Sequence, residues 1–144
     1  MEMKTILYVD DNPLDIELTL EAIKENQILN PIIVANDGLE ALAYLKSEGI
    51  YAKRKPGNPC MVLLDLKMPR MDGLEFLAIV KKAENYKRIP VILLTSSREE
   101  SDLIKGYNLG VNAYVVKPLD FLALIEVVKQ IGIFWAIINE LPSE

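Results

Sequence analysis

The sequence contains no histidine and only one cysteine, Cys60, among its 144 residues. The lack of histidine excludes Ser-His and Cys-His catalysis and histidine-ligated zinc, so any metal site has to be built from oxygen ligands. A single cysteine cannot form an internal disulfide, and no secretory signal opens the chain. We therefore expect a reduced, cytoplasmic protein.

An excess of basic charge is also missing, because 16 basic residues face 21 acidic ones and the net charge is −5. This balance gives no reason to expect a nucleic acid as a partner. No membrane span is expected, since the apolar stretch near the C-terminus is short and is interrupted by Glu126, Lys129 and Gln130. A hydrophobic fraction of 51% excludes a disordered chain, and the length suits one domain with a sizeable core.

Five short apolar runs alternate with segments in which apolar residues recur at helical spacing. The runs occupy residues 5–9, 31–35, 60–64, 90–95 and 112–116. A repeated strand-helix unit of this kind predicts a parallel sheet covered by helices on both faces. The basic connection 48–59 is unusually long, and we expect it to be a solvated loop.

Polar side chains follow four of the five predicted strands. Asp10 and Asp11 follow the first strand, Asp65 the third and Lys117 the fifth, while Thr95 ends the fourth. The carboxyl ends of parallel strands share one edge of the sheet, where open α/β proteins bind ligands. Three carboxylates gathered there repel one another unless a cation lies between them, and Mg²⁺ is a hard ion that takes such ligands.

A site that combines Mg²⁺, a hydroxyl and an ammonium group is complementary to a phosphoryl group. Asp65 would then be free to act as a nucleophile and to form an aspartyl-phosphate. Taken singly, each residue has an ordinary explanation: Asp10 and Asp11 as helix caps, Thr95 as a strand former and Lys117 as a surface lysine. Their coincidence at one edge favours the functional interpretation.

Four motifs, "YVDDNP", "LLDLKMPRMDG", "VILLTS" and "AYVVKPLD", occur in this order between about residue 4 and residue 130. Together they resemble the receiver domain of two-component response regulators. The resemblance implies a flavodoxin-like, five-stranded parallel sheet of order 2-1-3-4-5 with helices on both faces. It implies a receiver domain over residues 1–130.

The resemblance also implies roles for the acidic residues. Asp65 would accept a phosphoryl group from a phosphohistidine of a sensor histidine kinase. Asp11 and Asp65 would ligate Mg²⁺ directly, together with the backbone carbonyl of Lys67, and Asp10 would act mostly through water. The Lys67 side chain would then lie over the phosphoryl group and hinder an attacking water.

Further implied roles concern the fourth and fifth strands. Thr95 and Lys117 would hold the phosphoryl oxygens, and Tyr114 would be the aromatic residue whose rotamer is coupled to Thr95. The Lys117–Pro118 peptide bond would be cis. Such a protein is not an enzyme beyond its own phosphotransfer and slow dephosphorylation, and with no output domain expected after residue 130 its output would be binding.

The apolar pattern of the last helix continues past the turns that a receiver core needs. Leaving Phe134, Trp135 and Ile138 in water would expose a large apolar patch, which monomers rarely do. We therefore expect residues 131–144 to be a helical extension that forms a homodimer interface, with folding back onto the same domain as the alternative. The endings "IGIFW" and "NELP" resemble response regulators associated with phytochromes, which implies a phytochrome kinase as partner.

Two alternative functions are weighed against the phosphoacceptor. A Mg²⁺-dependent phosphatase of the haloacid-dehalogenase type needs a second aspartate two residues after the nucleophile, and Lys67 occupies that position. A phosphorylation-independent interaction module on the same fold usually lacks part of the acidic set, whereas this chain retains all of it. The second alternative stays open.

Overall fold

A computed structural model describes the chain over residues 4–139, with side chains described up to residue 133. The strands are β1 (Ile6–Val9), β2 (Ile32–Ala35), β3 (Met61–Leu64), β4 (Val91–Thr95) and β5 (Ala113–Val116). The helices are α1 (Pro13–Glu25), α2 (Gly38–Lys46), α3 (Gly73–Lys82), α4 (Glu100–Asn108) and α5 (Phe121–Asn139). Each strand was predicted to within one residue.

The five strands form one parallel sheet in the order β2-β1-β3-β4-β5, which confirms the predicted topology. In this sheet Val9 lies beside Ala35 on one side and Leu64 on the other, while Thr95 lies beside Val116. The carboxyl ends of the strands are therefore aligned along one edge. The residue that follows each strand therefore lies at that edge.

Alternating strand residues build two apolar layers, one on each face of the sheet. Leu7, Val62 and Leu93 belong to the layer covered by α2 and α3. Ile6 and Leu63 belong to the layer covered by α1 and α5. All five of these side chains are buried, so the central strands β1, β3 and β4 are covered on both faces, as the continuous apolar runs indicate.

Aspartate and asparagine residues start the helices nearest the carboxyl edge of the sheet. Asn12 caps α1, with Pro13 in the first turn, and Asp37 caps α2 by accepting a hydrogen bond from the Glu40 amide. Asp72 starts α3 with a reciprocal capping box. The loops that precede these helices are thereby held in defined conformations.

The long connection 48–59 is largely exposed, as predicted, but Arg54 gives it internal order. Its guanidinium stacks over the Tyr44 ring with 3.9 Å to the centroid, and its Nε donates to the Tyr44 carbonyl at 2.7 Å. It also donates to the carbonyls of Lys55 and Gly57. A short 3₁₀ turn at Gly49–Tyr51 precedes this cluster.

One implication of the resemblance was wrong. Residues 4–139 contain no cis peptide bond, so the Lys117–Pro118 bond is trans. The trans form is the one that X-Pro bonds prefer by about 0.5–1 kcal/mol. No helix within the same range is both long and apolar enough to cross a lipid bilayer.

Candidate functional site

The structure brings the sequence-predicted acidic, hydroxyl and ammonium groups together at the carboxyl edge of the sheet. Backbone hydrogen bonds extend the strand ladder just beyond its ends, from the Asp10 amide to Ala35 and from the Asp65 amide to Val9. Asp10, Asp65 and Lys117 are buried, whereas Asp11 is exposed. The strand register therefore fixes where the side chains converge.

One carboxylate oxygen from each of Asp10, Asp11 and Asp65 lies within 4.8 Å of the other two. Two of the residues are buried and one is exposed, so the cluster is open on one side. Carboxylate oxygens without nitrogen or sulfur donors form the ligand set that hard divalent ions such as Mg²⁺ or Mn²⁺ prefer. The residues present fit such an ion.

The ammonium group of Lys117 lies among the acids. Its Nζ is 2.7 Å from Asp10 Oδ2, 3.1 Å from Asp15 Oδ2 and 3.7 Å from Asp65 Oδ2. Burial alone would lower the pKa of Lys117, but hydrogen bonds and charges from these carboxylates raise it above its ordinary value. The lysine is therefore a permanent cation in a buried acidic pocket.

Asp65 is one of the two buried acids of the cluster. Burial raises its pKa above the ordinary value, and the nearby charge of Asp10 adds to this, whereas Lys117 and a hydrogen bond from Thr95 act in the opposite direction. Asp65 Oδ1 also accepts a hydrogen bond from the Leu66 amide at 2.8 Å. One oxygen is thus held by the backbone, while the other lies toward the ammonium group of Lys117.

Two further residues complete the pocket, and the sequence interpretation missed both. Tyr8, in the middle of β1, is fully buried and donates its hydroxyl to Asp10 Oδ2 at 2.7 Å. Asp15, in the first turn of α1, contacts Lys117. Neither residue lies at a strand end: Tyr8 is inside the apolar run 5–9, and Asp15 lies in the helical segment that follows it.

The loop between β3 and α3, which carries Lys67, is clamped at two points. Arg70 adopts a left-handed conformation with φ of 62° and pairs with Asp37 at 2.6 Å. At Gly73, an added Cβ would overlap the backbone carbonyl oxygen of Asp65, so only glycine fits there. The clamps hold the backbone that follows Asp65 close to the site.

The Lys67 side chain forms an ion pair with an acid on α4. It is 66% exposed, and its Nζ lies 3.5 Å from Asp102 Oδ2 on α4. Asp102 also accepts a hydrogen bond from the Ser97 hydroxyl at 2.6 Å. Lys67 thus links the loop after β3 to the start of α4.

Thr95 and Tyr114 are joined through one intervening residue. The Ser97 amide donates to Thr95 Oγ1 at 3.3 Å, and the Tyr114 hydroxyl donates to the Ser97 carbonyl at 3.0 Å. Ser97 therefore provides a direct physical link between the site hydroxyl and the half-buried ring on β5. The predicted interface residues Phe134, Trp135 and Ile138 lie outside the residues whose side chains are described.

Comparisons with known proteins agree with this geometry. The family model for the response regulator receiver domain matches residues 6–129. Response regulator Rcp1 from Synechocystis sp. is 40% identical over 140 residues, which cover 97% of this chain and 94% of Rcp1. The crystal structure of Mn²⁺-bound Rcp1 matches with a TM-score of 0.86 at 39% identity, covering 97% of this chain and 99% of that one.

Two other solved structures are response regulators of phytochromes. Phosphorylated RcpA, a cyanobacterial phytochrome response regulator, has a TM-score of 0.88 at 40% identity and covers 98% of this chain and 99% of its own. The bacteriophytochrome response regulator AtBRR is 49% identical, with a TM-score of 0.79 over the whole of both chains. The chain therefore belongs to the response regulator receiver family, where its relatives include response regulators of cyanobacterial and bacterial phytochromes.

Proposed function

We propose that this chain is a phosphoacceptor switch in which the Asp65 carboxylate takes a phosphoryl group from a phosphohistidine on a sensor histidine kinase. The observation that carries the proposal is the gathering of Asp10, Asp11, Asp65 and Lys117 into one pocket at the carboxyl edge of the sheet. The pocket contains a nucleophile and a fixed cation within 3.7 Å of each other. That pairing is what attack on a negatively charged phosphorus centre requires.

Mg²⁺ is the proposed cofactor. Asp11, Asp65 and the Lys67 backbone carbonyl would ligate it directly, and Asp10 would act mostly through water. When bound, the ion neutralises charge on the phosphoryl oxygens and relieves the repulsion between the carboxylates. The contacts of Asp10 support its indirect role, because Oδ2 already accepts from Tyr8 and Lys117 and Oδ1 from the Asn12 amide at 3.1 Å.

The remaining site residues would bind the oxygens of the phosphoryl group once Asp65 is phosphorylated. Lys117 would pair with one oxygen, and the Thr95 hydroxyl would donate to another. Thr95 Oγ1 currently accepts the Ser97 amide, so a change at Thr95 alters the Ser97–Tyr114 hydrogen bond. Tyr114 is thereby the proposed element that transmits phosphorylation to the surface around β5 and α4, by shifting a pre-existing equilibrium.

The proposed kinase is a phytochrome, and the proposed assembly is a homodimer. The phytochrome assignment comes from relatives that are phytochrome response regulators by name. The dimer assignment rests on the apolar residues Phe134, Trp135 and Ile138 of the extension over residues 131–144, and the receiver domain is assigned to residues 1–130. Cytoplasmic location follows from the need to meet such a kinase and is part of the same proposal.

Incubation with a small phosphodonor and Mg²⁺, followed by intact-mass measurement, tests the phosphoacceptor. The parent chain and Asp72→Asn should each gain one phosphate, and Asp65→Asn should gain none. Asp72→Asn is the matched control, because it removes one carboxylate seven positions away while asparagine still caps α3. An unmodified parent, or equal modification of Asp65→Asn, contradicts the proposal.

The partner and the assembly are tested separately. A phosphorylated phytochrome kinase should transfer phosphate to this chain faster than an unrelated histidine kinase does, and equal rates contradict the phytochrome assignment. Size-exclusion chromatography should show a dimer for the parent and a monomer for Trp135→Glu. Identical elution of the two contradicts the interface.

A further inference from the structure

The Lys117 ammonium group is shared by three carboxylates, and it lies closer to two of them than to the proposed phosphoacceptor. The distances are 2.7 Å to Asp10, 3.1 Å to Asp15 and 3.7 Å to Asp65. Lys117 would have to bind a phosphoryl group on Asp65, but its ammonium group lies nearer to Asp10 and Asp15, the acids on the α1 side of the pocket. Asp15 is the acid that α1 itself contributes.

Asp15 is held firmly at this position by its own backbone. Its amide donates to the Asn12 side chain at 3.0 Å, which fixes the first turn of α1, and Pro13 starts the helix. The Asp15 carboxylate is 35% exposed, whereas the Lys117 side chain is 7% exposed. Water can therefore replace Lys117 at Asp15 without leaving a buried carboxylate unpaired.

Asp10 differs from Asp15 in what it would retain if Lys117 moved. The Tyr8 hydroxyl donates to Asp10 Oδ2 at 2.7 Å and the Asn12 amide to Oδ1 at 3.1 Å. The buried acid thus keeps two donors of its own. Neither acid on the α1 side would be left unsatisfied, so the lysine can change partners at small cost.

We propose that Asp15 is a positioning residue that holds Lys117 away from Asp65 in the unphosphorylated chain and competes with the phosphoryl group for it. The inference rests on the proposed function, because the phosphoryl group on Asp65 is the competing anion. A phosphoryl group carries more negative charge than the Asp15 carboxylate, so Lys117 transfers to it when Asp65 is modified. Loss of the Asp15 charge makes the lysine available in advance.

Binding of beryllium trifluoride with Mg²⁺, a stable stand-in for the phosphoryl group, tests this competition without turnover. Removing one partly exposed ion-pair competitor should tighten binding about two- to fivefold in Asp15→Asn. Glu17→Gln is the matched control, since it removes the same charge from an exposed position on α1 and should bind like the parent. Asp15→Ala should behave like Asp15→Asn, which separates the effect from any property of the asparagine.

The effect has to operate through Lys117, and a second background shows whether it does. With Lys117→Met, Asp15→Asn and its parent should bind the beryllium complex equally. A gain that persists there, or an Asp15→Asn affinity no higher than that of the parent, overturns the inference while leaving the proposed function intact. A parent chain that binds no beryllium complex and takes no phosphate refutes the proposed function, and the inference falls with it.

Discussion

Tyr8→Phe removes the hydroxyl that contacts Asp10 in the site and should measurably destabilise the fold. Tyr8 is fully buried, and burial, followed by the charge of Asp10, raises the pKa of its phenol far above the ordinary value. The phenol therefore stays protonated and acts as a donor to Asp10 Oδ2 at 2.7 Å. Phenylalanine has the same ring, so the substitution leaves no large cavity.

The magnitude follows from the kind of hydrogen bond that is lost. A hydrogen bond to a charged group contributes about 1.5–3 kcal/mol. Asp10 keeps Lys117 and the Asn12 amide as donors, so we expect the low end, about 1.5–2 kcal/mol of unfolding free energy. At roughly 3–4 °C per kcal/mol for a chain of this size, the melting temperature should fall by about 4–8 °C.

Urea unfolding followed by far-UV circular dichroism in a chelator-containing buffer provides the measurement. Tyr114→Phe is the matched control, because it removes a neutral hydrogen bond to the Ser97 carbonyl, which is partly buried, and should cost only about 0.5–1.5 kcal/mol. In an Asp10→Asn background the cost of Tyr8→Phe should shrink toward that of the control. A Tyr8→Phe variant as stable as the parent refutes the reasoning.

Three further predictions concern stability. Burial raises the pKa of Asp37, but hydrogen bonds from the Glu40 amide and Arg70 and the charge of Arg70 lower it more, so the pKa is lower in the folded than in the unfolded chain. In urea unfolding, Asp37→Asn should therefore cost about 1 kcal/mol at pH 7 and progressively less below about pH 4. A difference in stability that stays constant with pH would contradict this prediction. In Gly132→Ala the new Cβ would lie 3.4 Å from Ile28 Cδ1, an ordinary contact distance. Because alanine favours a helix over glycine, the variant should gain about 0.5–1 kcal/mol of unfolding free energy in the same assay, whereas a loss would indicate overpacking. Mg²⁺ at a hundredfold excess over its dissociation constant should stabilise the parent by about 2.7 kcal/mol, and Asp11→Ala should remove most of this gain.

The sheet could be predicted from the sequence because its central strands β1, β3 and β4 are buried on both faces. Continuous apolar runs such as residues 60–64 and 90–95 are typical of strands in a parallel sheet that is covered on both faces. The polar residue at the end of each run marks the end of the strand. Asp65 and Thr95 were found in this way. Since all carboxyl ends of a parallel sheet lie at one edge, most of the site followed from the strand ends.

Two of the contacts that could not be predicted join residues far apart in sequence. Asp15 and Lys117 are 102 positions apart, and nothing in the first turn of α1 distinguishes a lysine partner from an ordinary helix-start acid. Asp37 and Arg70 lie in separate loops, so their ion pair depends on the packing of α2 beside the β3–α3 loop. Such pairs are set by tertiary geometry rather than by local pattern.

The central claim is that the phosphoryl group is attached to the side chain of Asp65, and peptide mapping tests this claim most directly. Borohydride reduces an aspartyl-phosphate to homoserine, and trypsin should release residues 55–67, a peptide whose sole acidic residue is Asp65. After treatment with phosphodonor, Mg²⁺ and borohydride, homoserine is expected at position 65 of this peptide. Homoserine at Asp10, Asp11 or Asp72 instead, with residues 55–67 unchanged, would contradict the claim.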